Sequence, residues 1–255
     1  MFVTRVRIDA PVVGYAAGLP VVRQLAQRPL ELAQVTILTG DNGAGKSTLI
    51  EAIAIAAGAN AAGGSRHARF EAADHSLLHE ALTLTRRQNP RDVYFLRGET
   101  YLTLANYHAS LGPDDALVGL PLRSHGEGIM DLARTRLGPD DALVGLPQRS
   151  HGEGIMDLAR TRLGPETLII LDEPEDGLSV FSQLELLGHL TVLARRGAQI
   201  LMATHSPVLL AIPEARILEV PSLEPLLFDA CEPLTATREF INDPAGTAAY
   251  LTSPE

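Results

Sequence analysis

A single lysine, Lys46, stands in the run Gly40-Asp41-Asn42-Gly43-Ala44-Gly45-Lys46-Ser47-Thr48, and every other residue among the 21 Lys and Arg is arginine. The run fits the spacing G-x-x-x-x-G-K-[ST], whose chemistry is the cradling of a polyphosphate. Glycines let backbone N–H groups curl around phosphate oxygens. A lysine ammonium is a compact charge that reaches the terminal phosphates where a planar guanidinium does not fit. The Ser47 hydroxyl is a candidate ligand for Mg²⁺. The candidate phosphate-binding residues are Gly40, Asn42, Gly43, Gly45, Lys46, Ser47 and Thr48, and together they predict a nucleoside-triphosphate site.

Three further groups carry chemistry. The apolar run Leu168–Leu171 ends in Asp172-Glu173-Pro174. At the carboxyl end of a parallel strand such a pair faces the ligand crevice. Asp172 is then placed to hold the metal, and Glu173 to act as general base on the attacking water. Thr204-His205-Ser206 follows another apolar run, so His205 is a candidate for hydrogen bonding the γ-phosphate. Ser150-His151-Gly152-Glu153-Gly154 precedes a helical run to Arg162. Ser150 can cap that helix and Gly152 permits close backbone approach, which makes a second anion-accepting helix N-terminus.

The elements that must position these residues are legible as runs. Val35–Thr39 reads as a buried strand leading into the glycine loop, and Thr48–Ala57 as the helix after it, ending near Gly58. Residues 2–8, 93–96, 167–171, 199–204 and 216–220 read as further strands, and residues 21–28 as a helix. Residues 75–85 fit either a helix or an extended run. Residues 179–196 carry a helical apolar pattern at Phe181, Leu184, Leu187, Leu190, Leu193 and Ala194, stopped by Arg195-Arg196-Gly197. Strands alternating with helices predict an α/β fold with a mostly parallel sheet and helices on both faces.

At 255 residues the chain suffices for one large α/β domain, and residues 1–255 are expected to form one. The net charge of −10 opposes a general nucleic-acid binder and leaves room only for a local basic patch. Cys231 is alone, which excludes a disulfide framework and a cysteine metal site. The first residues lack the apolar core of a signal peptide, and no run approaches the ~20 apolar residues of a membrane span. A reducing cytoplasm is the expected compartment. Residues 111–136 and 137–162 are a tandem repeat that differs only at Leu122 against Gln148. Two near-identical copies cannot build a solenoid core. A duplicated segment fits better, with one copy as an insertion, since doubling a surface loop costs on the order of 0.6 kcal/mol.

These pieces, in this order, resemble the ABC-type ATPases, in the branch shared with SMC and RecF-like chromosome proteins. The match rests on GDNGAGKST, SHGEG, LDEPEDGLS and ATHSP. More closely, GGSRHARF, YFLRGE, ARRGAQILMATHSPVLL and REFINDP are similar to small stand-alone bacterial ATPases with an SHGE signature. The resemblance implies a P-loop NTPase fold of the ABC-type ATPase head, with ATP and Mg²⁺. It also implies a homodimer in which each nucleotide lies between one subunit's loop and the other's signature. Carried over, Lys46 and Ser47 bind phosphate, Asp172 binds Mg²⁺, Glu173 is the base and His205 the switch histidine. Ser150, Gly152 and Glu153 act in trans, and Glu99 takes the place near the metal that a glutamine usually holds. Tyr15 is a candidate for stacking on adenine. The signature departs from LSGGQ, Ser179 stands where many relatives carry aspartate, and the signature recurs at Ser124–Gly128. The second copy is favoured because Ser150 to Leu171 leaves room for one helix and one strand. The activity implied is Mg²⁺-dependent ATP hydrolysis driving a process the sequence does not name, DNA maintenance or repair being one. A nucleotide-gated module with little turnover, or a copy impaired by its duplication, are the alternatives.

Overall fold

The computed structural model describes residues 1–61, 63–65, 76–98 and 163–252. Both repeat copies and the signature residues Ser150, Gly152 and Glu153, with Glu99, lie outside them. The apolar runs form the strands expected: β1 Val3–Ile8, β3 Val35–Thr39, β6 Asp92–Arg97, β7 Thr167–Asp172, β8 Gln199–Ala203 and β9 Arg216–Glu219. Short β2 Leu30–Glu31, β4 Gly64–Ser65, β5 Leu82–Arg86 and β10 Glu224–Leu226 complete the set among the described residues. Among the described residues the α-helices are α1 Pro20–Gln27, α2 Lys46–Ala57, α3 Leu78–Ala81, α4 Val180–Arg195, α5 Glu232–Asn242 and α6 Pro244–Thr252.

The main sheet has the order β10-β9-β3-β8-β7-β6-β4. Its five inner strands are parallel, and the edge strands β10 and β4 run antiparallel to their neighbours. Every residue of β3, β7 and β8 is buried, as expected for strands covered on both faces. Successive side chains point to opposite faces. Leu38, Phe95, Ile170 and Leu201 join the cluster under α1 and α2, whereas Ile37, Tyr94, Ile169 and Ile200 join the one under α4.

The structure corrects two expectations. Residues 2–8 do form a strand, but β1 lies in a separate antiparallel sheet of order β2-β1-β5, not in the parallel one. The ambiguous run at 75–85 resolves into both readings, α3 followed by β5. The second sheet is fastened to the first by Gln199, a buried side chain at the start of β8. Its Oε1 accepts from the backbone N–H of Phe2 at 2.7 Å and of Val3 at 2.8 Å, and its Nε2 donates to the carbonyls of Val3 and Ala33.

The second correction concerns α4. Its buried stripe runs Leu186, Leu190 and Leu193, while Phe181 and Leu184 are 62% and 49% exposed. Phe181 and Leu184 therefore fall on the helix face opposite that stripe. Ser179 caps α4 by accepting from the Ser182 N–H at 3.2 Å. Gly197, with φ of +107°, ends the helix region as expected. No described helix is long and apolar enough to cross a membrane.

Candidate functional site

Parallel strands bring their carboxyl ends to one edge, and the registers place Leu38, Ala203, Asp172 and Arg97 in one row across β3, β8, β7 and β6. The described residues that follow these strands gather there. The glycine loop leaves β3, the acidic pair ends β7, the His205 turn leaves β8, and Gly98 leaves β6.

The loop wraps the start of α2 as the motif requires. Gly40 has φ of +135°, and a Cβ there would run into the carbonyl of Val220 just past β9, so only glycine lets the loop pass so close. Lys46 and Ser47 open α2 directly after Gly45. The Lys46 ammonium is buried and donates to the carbonyls of Gly40 and Asp41, both at 2.8 Å. It thus spans the mouth of its own loop. Burial lowers its pKa, and the carboxylates of Glu173, Asp172, Asp41 and Glu175 act against that.

Alternation then decides what faces α2. Val93, Phe95 and Arg97 share one face of β6, and Leu168, Ile170 and Asp172 share the same face of β7. On α2, Ser47 and Glu51 are four residues apart and present one face to that row. Arg97 lies between them all. Its Nε donates to Asp172 Oδ2 at 3.2 Å, and its Nη2 donates to Glu51 Oε2. Burial raises Asp172 to about 6, while Arg97 and the Ser47 hydroxyl pull it back. Asp172 Oδ1 is buried with no hydrogen-bond partner.

Glu173 follows with φ of +48°, a left-handed conformation rare for a side-chain-bearing residue. Its N–H donates to the Ala203 carbonyl at 2.9 Å, which ties the turn to β8. Gly98 makes room for it: a Cβ at Gly98 would lie 2.6 Å from the Glu173 carbonyl oxygen and 2.7 Å from Asp176 Cβ. The Glu173 carboxylate is 37% exposed, and its Oε1 lies 4.0 Å from His205 Nε2. That nitrogen is buried and has no hydrogen-bond partner.

Glu175 holds the His205 turn. Its Oε1 accepts from Thr204 Oγ1 at 2.7 Å, from the His205 N–H at 2.7 Å and from the Ser206 N–H at 3.2 Å. Burial raises its pKa, which the Thr204 hydroxyl and the His205 N–H oppose. The acid after Pro174 therefore fixes where the His205 ring begins.

An open cavity of about 310 Å³ lies beside the loop. Among the described residues it is lined by Tyr15, Ser47, Thr48, Glu51, Arg97, Asp172, Glu173 and Asp176. The fold is that of a P-loop NTPase. Two family models match this P-loop NTPase: one described as "AAA domain" over residues 22–101, and one described as "AAA domain, putative AbiEii toxin, Type IV TA system" over residues 154–211. The first spans the glycine loop and β6; the second spans the acidic pair and the His205 turn. Both support a P-loop ATPase family. No curated protein matches the chain.

The structure brings Lys46, Ser47, Thr48, Asp172, Glu173 and His205 to one edge of the sheet. It adds Arg97, Glu51 and Glu175, which the sequence reading passed over. A signal for Glu51 was present in its four-residue spacing from Ser47, whereas the meeting of Arg97 with Asp172 depends on β6 lying beside β7. The residues fit a hard divalent cation. Asp172 offers an unpartnered buried oxygen beside the Ser47 hydroxyl, and Mg²⁺ takes one or two protein oxygens plus phosphates and water. No cluster of three or more metal-binding side chains occurs among the described residues.

Proposed function

We propose that this chain is an ABC-type ATPase that hydrolyses ATP in a Mg²⁺-dependent reaction within a nucleotide-bridged homodimer. The observation that carries the reading is the meeting of the Lys46 loop, the Asp172–Glu173 pair and His205 at one sheet edge, with Glu173 Oε1 4.0 Å from His205 Nε2. Lys46 and the loop N–H groups bind and orient the phosphates. Asp172 and Ser47 would hold Mg²⁺, which would supply positive charge to offset that of the phosphates. Glu173 accepts a proton from the attacking water. His205, steadied through Glu175, is the switch histidine that hydrogen-bonds the γ-phosphate. The left-handed Glu173 backbone aims its carboxylate out of the β7 ladder toward open cavity.

Ser150, Gly152 and Glu153 belong to the part of the reaction supplied by the second subunit, with Glu99 near the metal. Residues 1–255 act as one ATPase domain, one repeat copy being an insertion in it. What closure and opening of the dimer drives is a process of DNA maintenance in the RecF-like reading, with any nucleic acid reached through a local patch on an acidic protein. The cytoplasm is its compartment.

The deciding experiment is steady-state Mg·ATP hydrolysis by the wild type and by Glu173→Gln, with particle mass measured in the same buffer. Retained ATP binding, lost turnover and trapped dimers in the variant are expected. Native turnover in Glu173→Gln refutes this residue as the base, and binding without turnover in the wild type refutes the enzyme.

A further inference from the structure

Arg97 is held from three sides. Its guanidinium donates to Asp172 of β7 and to Glu51 of α2, and it sits 5.6 Å over the Phe95 ring. The Arg97, Glu51 and Asp172 side chains are 23%, 9% and 4% exposed. These partners come from different elements, and only a planar fork of donors reaches both acids together. Without Arg97 the cavity floor would present two buried carboxylates, on neighbouring elements, with no counter-charge between them. Hard cations seek that arrangement.

We propose that Arg97 is a specificity-determining residue that keeps Asp172 and Glu51 ion-paired, so that the site takes a divalent cation only together with a nucleotide's phosphates. This rests on the reading of Asp172 as the metal ligand. The physical basis is simple electrostatics. A fixed positive charge in contact with Asp172 repels a lone dication and occupies one of its ligand oxygens, Oδ2. The polyphosphate reverses the balance, because it brings negative charge of its own and supplies further oxygens to the metal. The unpartnered Oδ1 of Asp172 remains open to the metal while Oδ2 stays with Arg97. The metal therefore enters with the nucleotide rather than ahead of it.

The test uses Mn²⁺ as the probe, with free Mn²⁺ read by electron paramagnetic resonance, on the full chain and without nucleotide. Wild type should bind Mn²⁺ weakly, and Arg97→Gln should bind it at least about tenfold tighter. Arg97→Lys, which keeps the charge but loses the fork, should tighten Mn²⁺ binding less than Arg97→Gln does. A second comparison guards against misfolding: Glu51→Gln/Arg97→Gln should bind Mn²⁺ tighter than Glu51→Gln, since these differ only at Arg97 and leave no unpaired Glu51. Unchanged Mn²⁺ affinity on loss of Arg97, or equal tightening in the lysine variant, overturns the inference. Asp172→Asn separates it from its premise: if that variant binds Mn·ATP as wild type does, the metal reading of Asp172 fails; if it weakens Mn·ATP while Arg97→Gln leaves Mn²⁺ alone unchanged, only the role of Arg97 fails.

Discussion

Asp172 should make the stability of the nucleotide-free protein fall as pH rises. Burial raises its carboxyl from the usual 3.8 to about 6 against the pull of Arg97 and Ser47. A raised acid pKa means that the folded state holds a proton which the unfolded state releases. The stabilisation is complete below the unfolded value and is lost as pH climbs through about 6. Going from about pH 8 to about pH 5, linkage gives the folded state about 1.4 kcal/mol from this one group. At a urea slope of roughly 2 kcal/mol/M, that moves the unfolding midpoint by about 0.7 M. Other carboxylates titrate in the same range, so the decisive quantity is a difference. Asp172→Asn carries a constant cost, including a lost partner for Arg97, but no proton at this site. Subtracting its pH profile from that of the wild type should leave the slope of Asp172 alone. Parallel profiles for the two proteins would refute the burial argument.

Four other outcomes are expected. Gln199→Met should lower stability by about 2–4 kcal/mol in urea unfolding, because it strips the buried N–H groups of Phe2 and Val3 of their acceptor. Gly98→Ala should cost about 1–3 kcal/mol. It should reduce turnover more than nucleotide affinity, since its methyl group displaces the Glu173 carbonyl. Glu175→Ala should cut ATPase turnover at least about tenfold by releasing three donors of the His205 turn. Glu175→Gln, which keeps an acceptor oxygen, should recover most of it. Deleting residues 111–136 should leave hydrolysis intact or raised, and loss of hydrolysis would assign the working signature to the first copy.

Much of the site was legible because its parts are local. The loop around Lys46 is one continuous run, and Asp172 and Glu173 end an apolar strand that needs no partner to be recognised. Arg97 was not legible for a different reason. Its contact with Asp172 spans 75 residues of chain and exists only because β6 lies beside β7, a strand order that no local pattern encodes. Glu51 looked like one acid on an alanine-rich helix until Ser47, four residues earlier, was seen on the same face. Glu175 read as part of an acidic turn, and its burial follows from where the β8 turn passes. The placement of β1 failed by similar logic. Its alternation marks a strand, but the Gln199 side chain and pairing with β5 decide which sheet it joins. Leu184 and Phe181 misled because a strict three-residue apolar spacing drifts around the helix, which carries them to the face opposite Leu186, Leu190 and Leu193.

These contacts also explain how an acidic cavity can serve a polyanion. Glu51, Asp172, Glu173 and Asp176 line it with Arg97 as the one described basic lining residue, and Lys46 is turned onto loop carbonyls. Left so, the cavity would repel phosphate. Three of the charges are already engaged, since Arg97 binds both Glu51 and Asp172. What remains to receive phosphate is the run of loop N–H groups, the positive end of α2 and a lysine whose present acceptors are neutral carbonyls that it exchanges for charged oxygens at little cost. Glu173 stays outside this compensation, partly exposed and facing His205. A charged carboxylate beside an incoming γ-phosphate weakens binding but is available to take a proton. Neutralising Glu173 should therefore tighten nucleotide binding while stopping turnover, whereas neutralising Lys46 should weaken both.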